Sequence, residues 1–389
     1  MTEAFIQPDL LRWAIERSRL PVEKVAKTAH VKPEQIKSWQ SGDNYPTFNQ
    51  AQKLAHALRI PFGYLFLSAI PNETPSIPDL RTIRDATPQE FSPNFIDLLN
   101  DVLRKQEWYR EYRQQEGCET LSFIGRFGVN DDPNKVAEDI SQTLDINEKL
   151  RSDSVNWSEF LRKLIQRAES NCIMVLCNGV VGNDNTRKLS VEEFRGFAIS
   201  DEFAPLVFIN AGDYKVAQIF TLAHELAHLW IGESGVSNFE LKTAPPNINV
   251  EIFCNRVAAQ LLVPEELFLL EWRNEYSIER NLETLVGRFR VSSIVILRRA
   301  LDLGRITKDA FFSYYDSEIK NQFKRKEEQA EKSSGGNFHA TLFVRNGKLL
   351  TTTVASLAYE GKLLYREAAN LLGVKVKSLD KIAEKLGIR

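Results

Sequence analysis

Two of the five histidines in this 389-residue chain stand four residues apart, as His224 and His228 in the segment TLAHELAHLW. The longer stretch DYKVAQIFTLAHELAHLWIG predicts one helix that starts near Asp213 and stops at Gly232. Side chains four residues apart share a helix face, so both imidazoles can bind one metal ion. The motif therefore requires a fold in which this helix lies against another element that provides a third ligand.

Glu225 follows the first histidine and is rotated off the face that the two imidazoles share. From this position a carboxylate can take a proton from water without itself binding the metal, so we predict that Glu225 is the general base. An amphipathic helix that merely packs two histidines is the alternative. The spacing arises by chance in a chain of this length with a probability of about one per cent, which favours the metal site.

A third ligand is predicted in the segment NVEIFCNRVAAQLLVPEEL, residues 249–267, which has the pattern of a second helix. Its buried face is predicted to consist of Val257, Ala258, Leu261 and Leu262. Glu251 is the expected ligand, and Asn255, four residues later, is expected to hydrogen-bond a ligand histidine and fix its tautomer. Two histidines, one glutamate and an open fourth position form a catalytic Zn2+ site, so zinc is the expected cofactor. The alternative is a surface helix with an ordinary glutamate.

The segment PVEKVAKTAHVKPEQIKSWQ near the amino terminus has the pattern of two short helices joined by a tight turn. The helices are expected to start at Pro21 and Pro33, with the turn at residues 29–31. This helix-turn-helix pattern predicts that the second helix enters the major groove of DNA, where lysines contact phosphates and polar side chains contact bases. The predicted DNA-binding residues are Lys32, Glu34, Gln35, Lys37 and Ser38. A module for dimerisation or for recruiting a substrate is the alternative.

Two polar segments predict the domain boundaries. Residues 69–93 are rich in Pro, Thr and Ser and predict an extended linker, and the charged residues 320–336 predict a hinge. The expected domains are therefore residues 1–68, 94–319 and 337–389. The middle one mixes helical patterns with short β-like runs such as CIMVLC and PLVFIN. We expect a multidomain chain with an all-α helix-turn-helix domain, an α+β domain and a small α-rich C-terminal domain.

The pattern of helix, turn and helix occurs twice more, in residues 283–311 and 363–387. For the first of these we favour a helical pair that closes the core of the middle domain over nucleic-acid contact through Arg298 and Arg299. For the second we favour docking of a protein partner over contact with DNA. A lysine cluster of this kind is most often a solvated face.

Two further expectations concern the substrate. The run PLVFIN is expected to pair with an extended peptide, as edge strands do. Tyr214 is considered as the group that stabilises the oxyanion, because the other three histidines lie far from the motif in the sequence.

Composition limits the classes of protein and the cellular compartments that suit this chain. The formal net charge of −2 excludes a globally basic protein that coats nucleic acid, although a local basic face stays open. The four cysteines have no CxxC spacing, the amino terminus MTEAFIQPDL has no signal pattern, and no apolar run is long enough to cross a bilayer. We therefore expect a reduced, cytoplasmic protein with no membrane partner.

The segment FTLAHELAHLWIG followed by VEIFCNRVAAQLLVP resembles the ImmA/IrrE family of zinc metallopeptidases, closely over residues 170–270 and more loosely at IPDLRT, residues 77–82. Residues 8–67 resemble the Xre (Cro/C1-type) DNA-binding family. The first resemblance implies a zincin-like fold, with zinc bound by His224, His228 and Glu251 and with Glu225 as the base. It also implies a regulatory substrate, since members of that family characteristically cut Xre-type repressors or regulate their own operons.

These patterns and resemblances together predict a DNA-binding transcriptional regulator that carries a zinc-dependent endopeptidase domain. Its expected partners are promoter DNA and a protein substrate, namely a repressor, an antitoxin or a toxin-like protein, with a homodimer left open. The alternative is an antitoxin or transcriptional regulator whose peptidase fold is a partner-binding scaffold with little or no cleavage.

Overall fold

The computed structural model describes four segments of the chain, residues 2–71, 91–237, 249–317 and 338–388. They form two compact units, Met1–Ser76 and Ile77–Arg389. Most of the predicted linker, all of the predicted hinge and the segment IPDLRT lie outside the described residues.

The first unit is helical. Its helices are α1 (Pro8–Ser18), α2 (Val22–Ala29), α3 (Pro33–Ser41) and α4 (Phe48–Leu58), followed by a 3-10 turn at Phe62–Phe66. They enclose one core in which Ile36 and Trp39 of α3 are fully or almost fully buried. Helix α4 starts at a capping box, because Thr47 and Gln50 each accept a hydrogen bond from the other's backbone N–H.

The turn between α2 and α3 has the position that the sequence predicts. Helix α2 ends at His30, which adopts the left-handed conformation with a φ of 56°. The N–H of Val31 then donates to the carbonyl of Ala26 at 3.0 Å, and Lys32 occupies the N-cap of α3. This closes the last turn of α2 and allows α3 to start after three residues.

The second unit contains a four-stranded sheet that follows four helices. The helices are α5 (Pro93–Gln115), α6 (Pro133–Thr143), α7 (Glu148–Ser152) and α8 (Trp157–Ser170). The strands of the sheet are β1 (Met174–Asn178), β4 (Gly196–Ile199), β5 (Leu206–Asn210) and β6 (Gly235–Ser237). Strands β2 (Val180–Val181) and β3 (Asp184–Lys188) form a separate hairpin. The middle of the chain is therefore mixed α and β, as expected.

The strand order β1-β5-β4-β6 corrects the expected role of the run PLVFIN. This run forms β5, which pairs in parallel with β1, with Met174 opposite Leu206. On its other side β5 pairs with β4 in antiparallel orientation, with Phe197 opposite Phe208. The prediction that PLVFIN binds an extended substrate is wrong, because neighbouring strands already use the hydrogen-bonding groups on both of its sides.

One face of the sheet lies against α8 and the motif helix, and the helices that follow the motif belong to the same core. The motif helix and the helices after it are α9 (Lys215–Trp230), α10 (Asn249–Leu262), α11 (Glu265–Glu271), α12 (Ile278–Phe289), α13 (Ser293–Asp302) and α14 (residues 308–317). Helices α12 and α13 contribute Phe289 and Ile296 to this core. Arg298 pairs with Asp302, and the largely buried Arg299 donates to Gln260. The helical pair thus closes the core, and its two arginines are used within the protein.

The other face of the sheet is covered by the C-terminal helices α15 (Phe338–Asn346), α16 (Lys348–Tyr359), α17 (Tyr365–Leu372) and α18 (Leu379–Leu386), with a 3-10 turn at Val376–Ser378. Side chains alternate along a strand, so that Val207 faces the first core while Leu206 and Phe208 belong to a second core, which α5 and the C-terminal helices share. Residues 337–389 therefore differ from the separate domain that the sequence suggests. Both faces of the sheet are apolar, and the second face requires these helices as its cover. Among the described helices, none combines the length and apolar character of a membrane span.

Candidate metal centre

Helix α9 holds the two motif histidines in the interior of the second unit. It packs against β4 and β5 on one side and against α8 and α10 on another, and its residues from Gln218 to Trp230 are all buried. This burial explains why apolar residues surround the motif side chains on the helix. The side chains of His224 and His228 have no exposed surface.

The three predicted ligands lie together. The Nε2 atoms of His224 and His228 are 3.1 Å apart, and the Glu251 carboxylate oxygens lie 3.2 and 3.1 Å from them. Ligand atoms of a tetrahedral zinc site, each about 2.0 to 2.2 Å from the metal, are separated by roughly 3.3 to 3.5 Å. Two imidazoles and one carboxylate at this spacing therefore fit a zinc ion and leave a fourth direction for another ligand.

Asn255 lies where the sequence places it, one turn after Glu251 on α10. Its Oδ1 is 3.0 Å from Nδ1 of His224. Because Nε2 of His224 faces the cluster, Nδ1 is the atom that carries the proton and donates to Asn255. This hydrogen bond fixes the tautomer and the ring orientation of His224, which is the usual role of a group behind a metal ligand.

Burial and charge set the protonation of the cluster. Burial by itself raises the pKa of Glu251, but the two imidazoles outweigh it and lower this pKa to about 2. Burial lowers the pKa of His228, opposed by the Glu251 carboxylate. Near neutral pH the cluster therefore contains an ionised carboxylate and a neutral His228 imidazole, the forms that bind a metal. Cys254 lies beside it, but burial and nearby carboxylates raise its pKa well above the usual range, so the thiol stays protonated and is a poor ligand.

Glu225 is buried on the side of α9 that faces β4, and a glycine of that strand makes room for it. A Cβ added to Gly196 would lie 2.8 Å from Oε1 of Glu225 and 2.6 Å from Cγ2 of Thr221. It would also lie 3.0 Å from the carbonyl oxygen of Phe208. Sequence reasoning missed this residue, although a glycine inside a strand pattern is a known signal of close approach.

Replacing Gly196 with Ala should displace Glu225 while leaving the three metal ligands in place. If Glu225 is the predicted general base of a zinc peptidase, the zinc content should stay unchanged and the rate of substrate cleavage should fall by about tenfold to a hundredfold, since small displacements of a catalytic group have effects of this size. Both quantities are measured on the purified chain with the same protein substrate.

Gly287→Ala is the matched control, because Gly287 is exposed in α12 and a Cβ there would meet nothing within 4 Å. It should leave cleavage unchanged and stabilise the fold by about 0.5 to 1 kcal/mol. Full activity of the Gly196→Ala chain would show that this close contact does not position Glu225.

Tyr214 does not lie at the cluster. It is the N-cap of α9, ten residues before His224. At 1.5 Å per residue this is about 15 Å along the helix axis, beyond the reach of a tyrosine side chain. The expectation that Tyr214 stabilises an oxyanion at this site is therefore wrong.

The predicted DNA-binding residues lie in the first unit and are not part of the metal centre. Lys32, Glu34 and Lys37 are exposed on and before α3. Gln35 and Ser38 are half-buried and have local hydrogen bonds: Gln35 Oε1 accepts from the Lys32 N–H at 2.9 Å, and Ser38 Oγ accepts from Asn44 Nδ2 at 2.9 Å. The structure thus exposes the charged members of the set and uses the two polar ones within the unit.

Comparison with known families agrees with the location of the cluster. Residues 184–301 match a family model of the Peptidase M78 family, described as an IrrE N-terminal-like domain. This match contains His224, Glu225, His228 and Glu251. Residues 346–385 match a second model, described as a domain of unknown function (DUF8813). A comparison with curated proteins finds no match.

Proposed function

We propose that the second unit is a zinc-dependent metallopeptidase that cuts a protein substrate and that the first unit binds promoter DNA. The chain would thus be a transcriptional regulator that contains an endopeptidase. The observation that carries the peptidase is the buried cluster of His224, His228 and Glu251, with Glu225 beside it on α9. The match of residues 184–301 to an IrrE N-terminal-like domain supports the same conclusion.

The proposed mechanism assigns each residue of the centre a part. The two imidazoles and the Glu251 carboxylate would hold the zinc ion, and Asn255 keeps His224 in the tautomer that presents Nε2. When bound, zinc supplies a Lewis acid that polarises a peptide carbonyl and lowers the pKa of water. Glu225 accepts the proton of the attacking water and passes it to the leaving amine.

The substrate that we propose is a repressor, an antitoxin or a toxin-like protein. A peptidase joined to a unit that binds promoter DNA would be brought close to a substrate that binds the same promoter. Cutting such a protein would couple proteolysis to transcription. The ImmA/IrrE resemblance of the motif supports this substrate class.

A second candidate function is a partner-binding scaffold with little or no cleavage. It is favoured by the burial of the centre, because His224, Glu225 and His228 have no exposed surface and Glu251 has 1%. A peptide bond can reach these groups only after the side chains around them move. The Glu225→Gln exchange separates the two candidates, since cleavage requires a base and scaffolding does not.

The DNA-binding proposal rests on the tight turn between α2 and α3 and on the exposed Lys32 and Lys37. Two short helices with a buried shared face and one exposed helix surface are what a helix-turn-helix needs to dock in the major groove. Lysines at the start and on the outer face of α3 suit contacts to phosphates. In this proposal the chain binds as a homodimer on two half-sites, or more weakly as a monomer.

The Lys37→Ala chain should bind its own promoter region several-fold more weakly than the native chain, whatever the sequence. The slope of log affinity against log salt should fall by about 0.9, because one phosphate contact is lost. Gln35→Ala should instead change which sequence is preferred. Gel-shift titrations of the full chain at several salt concentrations measure both effects, with the exposed Lys308→Ala as control. Equal binding by the native, Lys37→Ala and Lys308→Ala chains would contradict the assignment.

A further inference from the structure

The C-terminal helices repeat the backbone geometry of the proposed DNA-binding motif. Helices α2 and α17 each have eight residues, and each ends at a residue in the left-handed conformation, His30 in the first and Gly373 in the second. The valine that follows closes the helix in both, since Val31 donates to Ala26 at 3.0 Å and Val374 donates to Ala369 at 2.9 Å. This closing bond is the common one after a left-handed helix cap, since Ile60 also donates to Ala55 after α4, so the likeness of the two motifs rests on the spacing of their side chains.

Five buried side chains of the first motif have buried counterparts at identical spacing in the second. They are Val25, Ala26, Ala29, Ile36 and Trp39 in the first and Ala368, Ala369, Leu372, Leu379 and Ile382 in the second, which also buries Leu371 and Ala383. The residues from Val376 to Leu386, which comprise the 3-10 turn and α18, therefore correspond to α3. The residues that match Lys32, Glu34 and Ser38 are three lysines, Lys375, Lys377 and Lys381.

The exposure of its second helix distinguishes this motif from the other helical pair in the unit. Helix α12 also ends at a left-handed residue, Arg290, but the following helix α13 buries Ile294, Val295 and Leu297 in the core. In the C-terminal motif, Lys375, Lys377 and Lys381 are all exposed. Both second helices bury one set of side chains, but α18 and the turn before it also expose several lysines.

The charge of this exposed surface is positive. The lysines on it are Lys375, Lys377, Lys381 and Lys385. Within the described part of the chain, no ion pair engages any of these four ammonium groups. The acidic groups on the same segment are Asp380, which accepts a hydrogen bond from the Tyr359 hydroxyl, and the exposed Glu384. A surplus of unpaired cations on the outer face of such a helix suits the phosphates of a duplex.

We propose that α17, the following turn and α18 form a second helix-turn-helix that binds double-stranded DNA. This gives a role to about half of the residues that match a domain of unknown function. It does not depend on DNA binding by the first unit. If both motifs bind, one chain contacts two DNA segments through two separately compact units.

The test uses the full chain with Lys375, Lys377 and Lys381 all changed to Ala. Affinity for a non-specific 30-base-pair duplex at low salt should fall at least about tenfold, and the salt slope should fall by about 2 to 3. The matched control changes three exposed lysines elsewhere in the same unit, Lys135, Lys149 and Lys308, to Ala, which alters the net charge equally. Equal affinities for the two triple variants would overturn the proposal.

A second variant is expected to bind DNA more tightly, a result that a misfolded chain could not give. Asp380 occupies the position that corresponds to Lys37, and Asp380→Asn should raise affinity about two- to threefold by removing a negative charge from the lysine-rich segment. Unchanged or weaker binding by this variant would also overturn the proposal. Repeating both comparisons in a Lys32→Ala, Lys37→Ala background separates the two motifs. A C-terminal effect that persists there supports the second motif even if the first unit proves not to bind DNA.

Discussion

The Glu225→Gln chain should keep its fold, its zinc and its DNA binding, and it should lose cleavage of its protein substrate by a factor of about a hundred to ten thousand. Losses of this size are typical when a positioned general base or acid is removed. Gln fills nearly the same volume against Gly196 but can neither accept the proton of water nor return it to the leaving amine. Because the side chain is fully buried, solvent cannot easily take over the proton transfer.

The measurement has two steps. Proteins that co-purify with the Glu225→Gln chain are identified first, since an inactive peptidase retains its uncut substrate. The rate of cutting is then compared between the native chain, Glu225→Gln and the control Glu283→Gln, whose carboxylate is exposed on α12. Equal cleavage by all three chains would end the assignment of Glu225 as the base. A captured partner that even the native chain leaves intact, together with normal regulation by the variant in cells, would instead favour the scaffold.

The zinc content of purified variants should distinguish the three metal ligands from the general base. The native chain should contain about one zinc ion, and His224→Ala and Glu251→Ala should each lose most of it, because a catalytic site with three protein ligands rarely survives the loss of one. Glu225→Gln should retain the metal. Elemental analysis of the purified chains measures these differences directly, and exposed counterparts, His56→Ala and Glu266→Ala, serve as controls.

Thermal unfolding gives an independent check on the same assignment. Zinc that binds only the folded chain stabilises it by mass action, so a chelator should lower the unfolding temperature of the native and Glu225→Gln chains. It should have little effect on His224→Ala or Glu251→Ala, which have no bound metal to lose. The same zinc content in all variants would show that the cluster is not the binding site.

Features that depend only on local geometry could be predicted from the sequence. The helix expected between Asp213 and Gly232 is observed as Lys215–Trp230. The helical repeat alone puts His224 and His228 on one face, and the same rule pairs Glu251 with Asn255 on α10. The turn at residues 29–31 could be predicted in the same way, because the end of α2 and the start of α3 lie within a few residues of each other. The metal-binding and catalytic roles of these residues stay predictions.

Contacts between segments that are distant in the sequence are visible only in the tertiary structure. Strand β1 pairs with β5, which is far along the chain, so β5 lies inside the sheet and cannot serve as an edge for substrate. The C-terminal helices cover a sheet face whose apolar character is visible only once the strand order is known. Likewise, the contact between Gly196 and Glu225 exists because β4 passes next to α9. Hydrophobic periodicity shows which side of an element is buried, but not which element buries it, because the apolar contacts that select the partner are non-directional.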